Sequence, residues 1–253
     1  MAISETAQKH HDELFPGHVS NLKVTDPELT EIFDNLAFDE VLSHSNLHVR
    51  TRLMLQLASL IACQALSEYR VMLGAALTVG VTPVEVKEVV YQAVPYVGMG
   101  KVFDFLHATN EVLTERGIDL PLEGQSRTDA GERMEKGLAV QKQIVGDERV
   151  EQMYASVPED ESHLQRFLSA NCFGDHLIRT GVDVCTRELL TFAMLISLGG
   201  CEPQARGHVA ANLNVGNDRS TLLAVITQLL PFIGYPRTLN ALAVINEVAP
   251  ATT

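Results

Sequence analysis

Three side chains in the second half of the chain, Glu188, Cys201 and His208, are of types that move protons or attack as nucleophiles. Gly199-Gly200 breaks one helix, and Pro203 suits the first turn of the next. Cys201 therefore falls at or just before a helix N-terminus, where free N–H groups and the helix dipole favour a thiolate. His208 follows after about 700° of helical turn, which leaves it within about 20° of the same face. Glu188 begins the preceding helix. An antiparallel hairpin carries it away from the turn, so it meets Cys201 only if the helices cross steeply or a neighbouring subunit contributes. Each residue also has a plain structural role open to it: Cys201 as a small buried hydrophobe, His208 as a hydrogen-bonded core residue, Glu188 as a complement to the helix dipole.

The elements that position these residues are written twice. Phe38, Thr51 and Arg52 recur 135 positions on as Phe173, Thr186 and Arg187. Ala75, Gly80, Gln92, Pro95, Gly98 and Asn110 recur 136 positions on as Ala211, Gly216, Gln228, Pro231, Gly234 and Asn246. The extra residue is best placed in the turn at Leu198-Gly199-Gly200. The spacing predicts an all-α fold of two tandem helical bundles related by a pseudo-twofold axis. The repeats run over 30–114 and 132–249, joined by a polar linker at 115–131. Apolar periodicity marks helices at 52–66, 84–94, 101–114, 188–198, 219–230 and 238–248, with no sustained alternation of period two. Thr82-Pro83 opens one of them, Gly80 and Gly216 suit the position after a helix C-cap, and Pro95 and Pro231 are expected to interrupt helices. The segment from Glu132 to Tyr154 reads as one amphipathic helix leading the second repeat.

The copies disagree where chemistry is expected. Met72 stands opposite His208, Ala65 opposite Cys201, and Glu68 opposite Gln204. Either the first repeat is structural, or Glu68 and His208 serve one composite site.

Apolar residues make up 46% of the chain, ample for a core, and the formal charge of −13 argues against a nucleic-acid partner. A small anionic substrate held by one or two arginines is compatible with that charge. The four cysteines have no metal-ligand spacing, and no cofactor or metal is expected. The polar N-terminus and unpaired cysteines suggest a reducing cytoplasm, and no uncharged stretch has the length of a membrane span. Of the thiols, Cys201 is expected to be the most reactive, with Cys63 buried in an apolar run.

The chain resembles the carboxymuconolactone decarboxylase family, whose members include alkylhydroperoxidase D. The likeness covers about residues 30–113 and 133–248. It rests on Phe173-Gly174-Asp175, Thr186-Arg187-Glu188-Leu189, the spacing of His208 to Gly216, and Pro231-Phe232-Ile233-Gly234-Tyr235-Pro236. The peroxidase branch implies a CxxC ahead of the histidine and an upstream glutamate. Cys201, His208 and Glu188 match these positions, but Gln204 replaces the second cysteine. The decarboxylase branch implies Glu four residues before His, a pattern that Glu68 meets only with Met72 in place of the histidine. The segment ahead of the second repeat's core favours the decarboxylase branch.

The resemblance thus implies cofactor-independent decarboxylation of a small carboxylated lactone or related ring acid. His208 would donate the proton, Arg206 or Arg237 would hold the carboxylate, and Glu188 or Glu68 would orient the histidine. A thiol peroxidase using Cys201 and a non-catalytic small-molecule-binding protein are the alternatives. Family members form rings of single-repeat subunits, so a tandem chain is expected to be a homo-oligomer, a trimer first and a dimer next. Light scattering tests this, and a stable monomer at micromolar concentration would exclude it.

Overall fold

A computed structural model describes residues 2–251. Thirteen α-helices and no strand occur among them. They are α1 (Glu5–Leu14), α2 (Leu22–Thr25), α3 (Pro27–Asn35), α4 (Val49–Ala62), α5 (Leu66–Thr78), α6 (Pro83–Val97) and α7 (Met99–Glu115), then α8 (Arg133–Val145), α9 (Asp147–Ser156), α10 (Ser162–Phe167), α11 (Val184–Leu198), α12 (Glu202–Asn214) and α13 (Arg219–Val248). Wide π-type turns at Leu36–Glu40 and Leu168–Leu177 precede α4 and α11 at matching places in the two repeats.

Local chemistry accounts for most boundaries. At α6 the Thr82 hydroxyl accepts from the Glu85 N–H while the Glu85 carboxylate accepts from the Thr82 N–H, with Pro83 in the first turn. Asp183 and Asp218 cap α11 and α13 in the same manner from their side chains. Gly80 and Gly216 follow α5 and α12 with φ of 87° and 97°, the left-handed conformation that suits glycine after a helix end.

Two sequence expectations need correction. Pro95 and Pro231 do not break their helices. The chain stays helical past each, and the break falls at Gly98 and Gly234, with φ of 88° and 76°. Glycine is the residue that adopts the positive φ of the bend, while the helix tolerates the missing proline N–H one turn earlier. The segment from Glu132 to Tyr154 is two helices rather than one, because Gly146 turns the chain at φ 100° between α8 and α9. Helix α13 is apolar and long enough to span a bilayer as a single element, yet Gly234 divides it into 219–233 and 235–248. Each half is shorter than the ~20 residues a span needs.

The two repeats share a core instead of forming separate bundles. Helices α4 and α11, which correspond in the two repeats, pack on each other, and the buried hydroxyls of Ser59 and Ser197 meet at 2.8 Å. Helix α6 of the first repeat then lies on α11 of the second, and α13 of the second on α4 of the first. One large apolar core results, running from Leu53, Leu57 and Leu73 to Phe192, Val225 and Ile245, with a smaller cluster of Ile144, Cys172, Phe173, Leu177 and Ala211 beside it.

A buried polar crosslink pins this exchange. Arg187 on α11 and Glu88 on α6 are each 1% exposed, and their Nη2 and Oε2 atoms are 2.8 Å apart. Arg187 Nη1 also donates to Gln92 Oε1 at 3.0 Å, and Gln92 Nε2 returns a bond to the Arg187 carbonyl at 2.7 Å. Arg179 closes on the other side of Glu88 with Nε and Nη2 at 2.9–3.0 Å. Removing one partner strands a charge away from water. Glu88→Leu is therefore expected to lower stability by about 3–5 kcal/mol, read by urea denaturation with light scattering held constant. A loss within experimental error would refute the crosslink's role.

Candidate active site

Helix α12 meets α11 so that His208 Nδ1 lies 2.8 Å from Glu188 Oε2. Glu188 is fully buried and its other oxygen, Oε1, has no hydrogen-bond partner. Asn212, one turn beyond His208, is buried too. Its amide donates to the backbone carbonyls of His208 at 2.7 Å and Glu188 at 3.1 Å, and Asn217 in turn donates to Asn212 Oδ1. The helix pair is thus latched beside the carboxylate–imidazole contact. With Nδ1 taken by Glu188, Nε2 is the nitrogen left for a reacting molecule.

His208 lines a cavity of about 390 Å³. Its walls include Gln204 and Ala211 of α12, Cys172 and Phe173 of the π turn, Gln141 and Val145 of α8, and Arg149 and Met153 of α9. The first repeat supplies Pro95 and Tyr96. The Tyr96 ring stands edge-on to the His208 ring, 6.0 Å between centroids and 80° between planes. Burial pushes the Tyr96 phenol well above its usual range, and the neighbouring Cys172 and Glu188 add to this, so it remains a protonated donor. Burial likewise pushes the Cys172 thiol up to about 12. Among the described residues, no three His, Cys, Asp or Glu side chains are grouped as a metal site.

The other sequence-derived candidates lie elsewhere. Cys201 precedes the first turn of α12, but its side chain makes no cap and its Sγ turns to the Gly199 carbonyl at 3.6 Å. It lines a separate small cleft with Arg237 and Asn240. The expectation of a shared face with His208 is corrected accordingly: Cys201 has φ −118° and ψ 27°, so helical phase does not extend back to it. Glu188 pairs with His208 and not with Cys201. Arg237 is directed at Cys63 Sγ and the Leu198 carbonyl, and Arg206 makes two bonds of 2.8 Å to Glu247 on the surface. Neither lines the cavity. Glu68, half-buried near the start of α5, does not line it either, and burial raises its carboxyl above the usual range. The first repeat joins this cavity through Pro95 and Tyr96 instead. Cys63, expected to be buried, is half-buried at the end of α4.

Arg149, like Tyr96, is a cavity residue that sequence reasoning missed. It makes no hydrogen bond or ion pair with another described residue. Its position on a helix separate from α8 depends on the turn at Gly146, and uninterrupted periodicity hid that turn. The repeat register did hold a second sign. Leu53 stands opposite Glu188 as Met72 stands opposite His208, and both are buried in the apolar core. The matching region of the first repeat is filled with rings: Phe232, the counterpart of Tyr96, packs edge-on against Phe33 at 6.1 Å, and Phe33 likewise on Phe38 at 6.2 Å.

The geometry makes a thiol test decisive. Iodoacetamide at about pH 8 is expected to spare Cys172 in the folded protein and to modify Cys201 first, as peptide mass mapping would show. Earlier modification of Cys172 would refute the assignment of that thiol as inert.

The sequence model of the carboxymuconolactone decarboxylase family matches the chain twice, over residues 27–111 and 162–247. A 4-carboxymuconolactone decarboxylase from Acinetobacter baylyi is 28% identical over 117 residues, 46% of this chain and 87% of that protein.

Proposed function

The chain belongs to the carboxymuconolactone decarboxylase family, and on that premise we propose that its second repeat decarboxylates a small carboxylated lactone or a related ring acid without a cofactor. The observation that carries this reading is the Glu188–His208 contact of 2.8 Å at the wall of a cavity of about 390 Å³. The relative's named substrate, 4-carboxymuconolactone, is the first compound to try.

In this reading the substrate's anionic group lies on Arg149, whose guanidinium has no competing partner among the described residues. The bond from ring carbon to carboxylate breaks, and its electron pair passes through the unsaturated system to the lactone carbonyl oxygen. Carbon dioxide leaves. His208 Nε2 then delivers its proton to carbon as the carbonyl re-forms, and Glu188 stabilises the histidine's orientation and positive form. In this reading the Tyr96 phenol, kept neutral by burial, serves as a donor toward the developing oxyanion. The thiol-peroxidase reading lacks comparable support: Cys201 faces another cleft, and Cys172 carries a thiol pushed up to about 12.

Carbon dioxide release from 4-carboxymuconolactone and related lactones tests the proposal. His208→Met places in the second repeat the residue that already sits buried at this position in the first, so folding should persist. It is expected to reduce kcat about 10²-fold or more. Arg149→Met is expected to lower kcat/KM about 10- to 100-fold, the loss of one charged hydrogen bond. Full turnover by His208→Met on the true substrate would overturn the reading.

A further inference from the structure

A second cavity, of about 320 Å³, lies on the first repeat and shares no lining residue with the one just described. Helix α6 forms its floor, α7 and Arg179 its sides, and the linker at 120–125 covers it. The linker is held down where the Thr180 N–H donates to the Gln125 carbonyl at 3.1 Å and the Thr128 hydroxyl to the Gly174 carbonyl at 2.9 Å.

Lys87 makes this cavity chemically distinctive. It is 8% exposed, and its ammonium donates to Asn110 Oδ1, leaving two protons unassigned. No carboxylate among the described residues lies within ion-pair distance of it. An ammonium partly withdrawn from water without an ion-pair partner is costly, Glu123 on the cavity rim standing outside ion-pair distance, and burial accordingly pushes Lys87 below its usual range. Glu88 next to it does not help, because Arg179 and Arg187 already occupy its oxygens. The Tyr91 ring lies 5.6 Å from the Lys87 ammonium and 5.2 Å from the Arg179 guanidinium. In the second repeat, Leu223, Ala224 and Thr227 stand where Lys87, Glu88 and Tyr91 do, so packing of the shared fold does not demand this set.

We propose that this cavity binds a small organic carboxylate, its anionic group on the Lys87 ammonium in the field of Arg179 and its apolar body between Tyr91 and the linker residues Leu120 and Leu122. Such a ligand supplies the charge that Lys87 lacks, and the apolar walls favour it over a fully hydrated anion such as phosphate.

Benzoate is the probe, titrated calorimetrically into the full-length His208→Met/Arg149→Met protein so that the first cavity does not contribute. One equivalent is expected to bind, with intermolecular NMR cross-peaks between the benzoate ring protons and Tyr91. Adding Lys87→Met is expected to weaken binding about tenfold or more. Because the cross-peaks are read without altering Lys87, the proposal stays testable if that variant fails to fold. Absence of binding at millimolar benzoate, binding without contact to Tyr91, unchanged affinity in folded Lys87→Met, or tighter binding of inorganic phosphate would each overturn it.

Discussion

Everything that distinguishes this molecule from two helical bundles on a string depends on the buried contact of Arg187 with Glu88 and Gln92. The guanidinium belongs to the second repeat and donates both to Glu88 and Gln92 of the first and to the Arg179, Thr180 and Val182 carbonyls of its own. Isolated, such a pair contributes little net stability, because desolvation offsets attraction. Its importance is one of register. A planar guanidinium satisfied on several edges admits one axial position of α6 along α11. That position brings Pro95 and Tyr96, two turns farther along α6, to the mouth of the cavity that holds His208. A slip along the helix would disconnect both the crosslink and the wall of the site.

Helix α11 serves both ends of this arrangement with consecutive residues. Arg187 and Glu188 are adjacent, so their side chains leave the helix about 100° apart. The first turns to α6 and the second to His208 on α12. The site is anchored on α11, most of whose residues are buried, and its carboxylate has no access to bulk water. A histidine oriented by a buried carboxylate, with a protonated phenol beside it, is held in place before any substrate arrives.

The repeat, the all-helical character and most capping residues were legible because each depends on local spacing: glycine after a helix end, proline in a first turn, apolar positions at helical period. Thr82-Pro83 and Gly80/Gly216 are of this kind. The bends at Gly98 and Gly234, at the same place in both repeats, are visible as a helix–turn–helix, although it is glycine and not the nearby proline that makes the break. The site was legible only in part. His208 and Glu188 stood out by type, while their mutual contact depended on how α11 and α12 cross, which spacing does not encode. Cys201 stood out because helical phase was extended through a non-helical residue. Arg149 and Tyr96 were hidden for a different reason. One depends on the turn at Gly146, and the other arrives from the opposite repeat across a tertiary interface that no window of sequence spans.

The covalent joining of the repeats has an evolutionary corollary. In an assembly of identical single-repeat chains, a gene encodes every copy of a position at once, so exchanging histidine for methionine would silence all sites together. Joining two copies in one reading frame releases that constraint. Here one repeat carries His208 where the other carries Met72, and one helix carries Lys87 and Tyr91 where its twin carries Leu223 and Thr227. Duplication thereby lets each half carry side chains the other lacks while both contribute to one interlocked core.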